Sequence, residues 1–187
     1  MTLVPEEIIQ QTQKTESEKL DADYQEINPA EGRIAFIDTG SAEITKTSSY
    51  ALALAKLYYS IYDGTKKEKG ELKQFLIFCW KEYSKIKCRC YGENFETEFE
   101  ENDATLKQGM NNLTPSQATE HARKLIELTE LAKLSKQCIA IRDGDLETKA
   151  TQEKEILANA GTIAGLAKTS TITTPKGNNI LFLVCLS

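Results

Sequence analysis

Two stretches of this sequence end an apolar run on an aspartate. In "RIAFIDTGSAE", Arg33 to Glu43, the run stops at Asp38 and turns through Gly40; in "QCIAIRDGDLE", Gln137 to Glu147, it stops at Asp143 before Gly144. Each reads as a short buried strand that carries one carboxylate to its C-terminal end. A single aspartate beside a glycine is far more often turn punctuation than a ligand. Two of them on neighbouring strands open a second chemistry. Clustered carboxylate oxygens hold Mg²⁺ or Mn²⁺ and leave positions for water and phosphate, as phosphodiester hydrolysis requires. A third carboxylate is expected from the helical stretch "ARKLIELTELA", which leads directly into the second strand: Glu127, with Glu130 one turn later as the alternative. Taken alone, Glu127 is as readily a solvated helix residue.

The elements that must position these acids can be read from periodicity and turn residues. Pro5 to Leu20 is polar and helix-compatible with a thin apolar face, and Asn28-Pro29 and Gly32 then mark a boundary. That divides the chain into a helical arm, 1–30, and a core, 31–187. Ile34 to Ile37 is a strand apolar on both faces. Leu52 to Tyr62 is a strand running into the hairpin signal Asp63-Gly64, and "KKEKGELK", Lys66 to Lys73, reads as a solvated hairpin tip. Leu72 to Tyr91 fits a long strand or a strand pair, and Asn102 to Asn112 a polar connection. Thr114-Pro115-Ser116 opens a helix through about Ser135, with Ala122, Leu125, Leu128 and Leu131 to Leu134 on one face. Strand Cys138 to Ile141, helix Thr151 to Ala160 and strand Thr162 to Ala167 follow, and a last apolar run, Ile180 to Leu186, approaches the end. Three hairpin-type strands followed by strand–helix alternation predict an α/β mixed sheet of the ribonuclease-H-like kind, antiparallel first and parallel later. In that topology the first and fourth strands are neighbours, so Asp38 and Asp143 would sit side by side.

Bulk properties bound the rest. A chain of 187 residues with 40% hydrophobic and 27% charged residues can bury a real core. A net charge of −5 and a pI near 5.1 argue against a protein that coats nucleic acid electrostatically, yet leave room for an enzyme that meets phosphates through a bound cation. Five cysteines without a CxxC pair read as buried free thiols in a reducing cytoplasm. Met1 to Gln10 has no basic leader, and Ile180 to Leu186 is too short to span a bilayer, so the expectation is a soluble cytoplasmic protein with no membrane partner. His121, the only histidine, reads as a surface residue, and Trp80 with Tyr58, Tyr59 and Tyr62 as sheet packing. Gly161 and Gly165 lack the Lys and Ser/Thr of a phosphate-binding loop.

In order along the chain, "INPAEGRIAFIDTGSAEI", "ARKLIELTELA", "IRDGDLETKATQEKEIL" and "IAGLAKTSTITTPKGN" resemble blocks of the NurA nuclease family, covering roughly Ile27 to Asn179. The resemblance implies a manganese-dependent DNA nuclease, homodimeric, that resects DNA ends with the hexameric ATPase HerA in double-strand break repair. It implies Asp38, Glu127 and Asp143 as catalytic metal ligands for Mn²⁺ or Mg²⁺, and places Lys168-Thr169-Ser170 on the family's lysine-threonine-serine segment, with Lys168 orienting a phosphate. Departures are Thr39 between Asp38 and Gly40, Asp145 in place of a serine, and the lack of the family's C-terminal histidine and tyrosine before Ser187. The chain therefore reads as curtailed, and the alternative expectation is a weak or inactive subunit that dimerises or docks on an ATPase.

Overall fold

The computed structural model of the protein describes residues 32–106 and 111–166, all within a compact unit spanning Glu31–Lys168. The expected arm before residue 31, Lys168 and the apolar run Ile180 to Leu186 lie outside the described residues.

Alternation of inward and outward residues builds the first half. Strand β1 (Arg33–Lys46) pairs with β2 (Tyr50–Asp63), whose Ala51, Ala53, Ala55 and Leu57 all turn inward and are essentially solvent-free. This period of two overrides the helix-forming composition of "LALAK". Gly64, at φ +54°, makes the tight turn into β3 (Lys66–Glu82), with Asp63 opposite Lys66. Strands β4 (Lys85–Tyr91) and β5 (Glu96–Glu100) extend the antiparallel meander. The chain then forms α1 (Pro115–Leu134), β6 (Ile139–Asp143), α2 (Thr151–Ala158) and β7 (Ile163–Leu166).

The seven strands form one mixed sheet in the order β5-β4-β3-β2-β1-β6-β7, with β6 parallel to β1 and β7 parallel to β6. Helix α1 starts where the sequence predicts. Thr114 accepts from the Gln117 N–H while the Gln117 side chain accepts from the Thr114 N–H, a reciprocal cap that satisfies two otherwise orphaned donors. Its buried face, including Ala118, Ala122, Leu125, Leu128 and Leu131, packs on β1, β2, β3, β4 and β6, and α2 packs on α1.

Several expectations need correction. The first run does not stop at Asp38. Strand β1 continues through Thr39 and Gly40 to Lys46, because the long partner β2 supplies a ladder from Asp38↔Tyr58 to Lys46↔Ala51. Gly40 sits extended in that ladder, so the aspartate lies mid-strand rather than at a turn. The antiparallel part has five strands, not three: Leu72 to Tyr91 divides into a pair at Tyr83-Ser84, and β5 was missed because "ETEFE" buries only Phe99 deeply. "KKEKGELK" is no hairpin tip but the exposed first half of β3, paired with β2. Cys79 and Cys88 are not free thiols. They face each other across β3 and β4 with Cα atoms 4.1 Å apart and are joined by a disulfide, while Cys90 and Cys138 are free. His121 is no surface residue: it is half-buried and tilted against Phe99 at 6.0 Å between ring centroids.

Candidate metal site

The parallel ladder between β1 and β6 pairs Ile34 with Ile139 and ends with Ile37 opposite Arg142. Ile37 and Arg142 are both buried on the side of the sheet that α1 covers. The next residue on each strand, Asp38 and Asp143, is therefore level with its neighbour and points to the other face. Both border a recess of about 120 Å³ whose lining is largely apolar, with Phe36, Ile37, Tyr58, Ser60, Ile141, Leu166 and Arg142 around them. After Asp143 the chain turns at Gly144, at φ +128°. The carbonyl of Gly144 lies so close to Gly165 of β7 that a Cβ there would come within 2.7 Å of it. That contact fixes the turn that follows Asp143.

Glu127 lies under this pair. Flanked by Ile126 and Leu128 on the inner face of α1, it is 1% exposed. Its carboxylate is held by two guanidinium groups. Arg142 Nε donates to Glu127 Oε1 at 3.0 Å, and Arg123 Nη1 donates to Oε2 at 3.4 Å. Each arginine also touches the backbone next to one aspartate. Arg142 adjoins Asp143 in the chain and donates to the Asp145 carbonyl, while Arg123 donates to the Thr39 carbonyl at 2.9 Å. Burial raises the Glu127 pKa above the ordinary carboxylate range; the hydrogen bond and charge of Arg142 and the charge of Arg123 oppose the rise, and the charge of Asp38 adds to it.

Glu130, the alternative third acid, belongs to another group. Lys73 Nζ bridges it, at 3.3 Å, to Glu93, at 3.4 Å, and Lys133 also reaches it. Of the two glutamates, Glu127 is the one whose arginine partners reach backbone carbonyls near Asp38 and Asp143, those of Thr39 and Asp145. Among the described residues no three His, Cys, Asp or Glu side chains are already grouped to hold an ion. The arrangement is a pair of aspartates with a third acid anchored beneath them.

Sequence reasoning missed the two arginines. Their signals were present: Arg142 interrupts the apolar run "CIAIRDG", and a buried charge requires a partner. Arg123 stands four residues before Glu127, on the same helix face. Gly161, which the sequence already excludes from a phosphate-binding loop, has a packing reason. A Cβ there would lie 2.3 Å from the Ser135 carbonyl oxygen, and its N–H donates to Ser135 Oγ at 2.8 Å.

Asp38 and Asp143 are carboxylates, the donors a hard divalent cation takes, but the recess they border is otherwise largely apolar and Arg142 borders it too; among the described residues no cysteine or histidine does. Compared with known protein families, curated proteins and solved structures, the chain matches none. No helix among the described residues is long and apolar enough to cross a membrane.

Proposed function

We propose that the chain is a metal-dependent DNA nuclease of the NurA kind, built on a ribonuclease-H-like core. The observation that carries this reading is the register Ile37↔Arg142, which brings Asp38 and Asp143 level on adjacent parallel strands. In this proposal the two aspartates hold Mn²⁺ or Mg²⁺, and Glu127 is the third carboxylate of the site. The ion, when bound, supplies charge stabilisation to the phosphate and lowers the pKa of its water. Hydrolysis would join a water oxygen to phosphorus as one P–O ester bond breaks, with a proton of that water passing to the leaving oxygen. Asp38 and Asp143 set the position of that ion against the recess, and Phe36 and Ile141 keep one wall of it apolar. Lys168 is assigned to orienting a phosphate oxygen. A homodimeric state, a HerA-type hexameric ATPase as partner and a cytoplasmic location belong to the same proposal.

A second reading is favoured by one observation. Glu127 already has both carboxylate oxygens on arginines. A subunit in which this network only braces the fold would be catalytically inert and would act by docking. Titration calorimetry with Mn²⁺, run beside cleavage of DNA ends, tests the two together. The nuclease reading expects binding that Asp38→Ala and Asp143→Ala each abolish, with cleavage lost in parallel. Binding unaffected by either substitution would reduce the aspartates to sheet residues.

A further inference from the structure

We propose that the Cys79–Cys88 disulfide is a redox switch sealed by the first turns of α1: a dithiol reduces it only while those turns are lifted from the sheet, and reduction in turn loosens them. The switch does not depend on what Asp38 and Asp143 hold.

Access to the sulfurs decides the matter. Cys79 and Cys88 face each other on β3 and β4 and are 0% and 1% exposed. They lie on the side of the sheet that α1 covers, with Cys88 Sγ 3.9 Å from the Ala118 carbonyl oxygen of the helix. Approach along the sheet is closed, because β4 is paired on both sides: Cys88 stands opposite Cys79 on one strand and opposite Thr97 on the other. On β5, the Phe99 ring lies against His121 of α1, with centroids 6.0 Å apart. A reducing thiolate must reach one sulfur directly, and the first turns of α1 stand in its path. Ala118 and Ala122, both fully buried, let the helix backbone lie close to the sheet there. The same turns hold β1: Glu120 accepts from Ser41 Oγ at 2.7 Å, and Arg123 donates to the Thr39 carbonyl at 2.9 Å. Lifting them to admit a dithiol therefore costs the helix its contacts with β1 as well.

The chemistry balances with the dithiol as reductant. Its thiolate bonds to one sulfur, the other sulfur leaves as a thiolate and takes a proton, and the second thiol of the reductant displaces the first. Two electrons and two protons pass to the protein, and the reductant closes into a cyclic disulfide. Two sulfurs that are no longer bonded keep van der Waals separation, and the close-packed layer under Ala118 and Ala122 resists the added volume. Reduction and lifting of the helix thus favour each other.

The experiment follows reduction of the folded protein by dithiothreitol, with unfolding, alkylation and peptide mass spectrometry at each time point to count freed Cys79 and Cys88. Reduction is expected to run at least about a hundredfold slower than in the urea-unfolded chain. Thr114→Ala removes the side-chain cap of α1 and is expected to speed it about fivefold, the change that losing a cap makes in an opening equilibrium. Ile163→Ala, on the strand at the opposite edge of the sheet from β5, is expected to leave the rate unchanged. Equal acceleration by the two variants would mean that only global unfolding exposes the bond, and would overturn the seal. So would reduction as fast as in the unfolded chain, or Cys79 and Cys88 already free in protein purified without reductant. Hydrogen exchange of the wild-type protein is the second measurement: the amides of residues 118–123 are expected to exchange severalfold faster after reduction. Unchanged exchange there would overturn the switch, even should neither variant fold.

Discussion

Glu127 and Arg142 meet under the sheet at 3.0 Å with side-chain exposures of 2% and 10%, one contributed by helix α1 and the other by strand β6. A pair so shielded costs a great deal to break on one side only, because the partner is left buried and charged. Arg142→Gln is expected to lower the stability of the metal-free protein by about 3–5 kcal/mol. Adding Glu127→Gln should recover most of that loss. Urea unfolding of the two single variants and the double variant checks it, and additive losses would show that the two side chains do not act as a pair.

Cation binding should also be visible as stability. An ion bound only by the folded chain contributes about 2.7 kcal/mol at a hundredfold excess over Kd, which for a chain of this size raises the melting temperature by roughly 5–10 °C. Mn²⁺ is expected to produce such a rise in the wild-type protein and none in Asp38→Asn. A thermal scan with Mn²⁺ and with chelator measures both.

Among the described residues, Thr39 Oγ1 is buried without a hydrogen-bond partner. Leaving a donor unmade is costly, whereas an isosteric apolar replacement loses nothing. Thr39→Val is expected to leave stability unchanged or raise it by up to about 1 kcal/mol, read as a shift in denaturant midpoint. A loss of more than that would mean the hydroxyl has a partner in solution.

His121 gives a pH signature that no other imidazole can obscure, since the chain has one histidine. Burial against Phe99 lowers its pKa below 6.5, with the charge of Glu153 partly opposing. A depressed folded value means that the unfolded chain binds the proton more readily in that window. The stability it contributes is therefore complete above pH 6.5 and is lost as pH falls through the folded pKa. The single imidazole signal in an NMR titration should have its midpoint below 6.5, and His121→Gln should flatten the corresponding stretch of the stability profile.

The four cysteines among the described residues separate cleanly. Alkylation of the unfolded chain without reductant should label Cys90 and Cys138 and spare Cys79 and Cys88, which should react only after reduction. In the native state Cys90 should resist alkylation, because burial pushes its thiol pKa up to about 12, with the charge of Glu93 adding to the rise. Peptide mass spectrometry reads both results.

Local patterns made some of this legible in the sequence and long-range pairing hid the rest. The helix through Thr114 and the strand at Ile139 follow from capping and periodicity, which are properties of neighbours in the chain. The adjacency of Asp38 and Asp143 followed from strand order. What misled was Gly40, a turn signal that a fourteen-residue ladder absorbs. Arg142 escaped because a salt bridge spanning helix and strand has no periodic signature, whereas Arg123 stands at a readable i,i+4 spacing from Glu127 and only its reach to the Thr39 carbonyl depends on the fold. Cys79 and Cys88 become neighbours only once the Tyr83-Ser84 turn sets the β3–β4 register.

The parallel seam between β1 and β6 also has a kinetic consequence. Strands β1 to β5 can pair by successive hairpins, each closing a short segment of chain. The β1–β6 seam needs the whole meander and helix α1 to be spanned before its first pair forms, and contacts of such high sequence separation carry the larger entropic barrier. Asp38 is thus placed in its ladder early, and Asp143 arrives late. The two aspartates come level only when that seam forms, so whatever their juxtaposition does belongs to the completed fold and to no earlier stage of it.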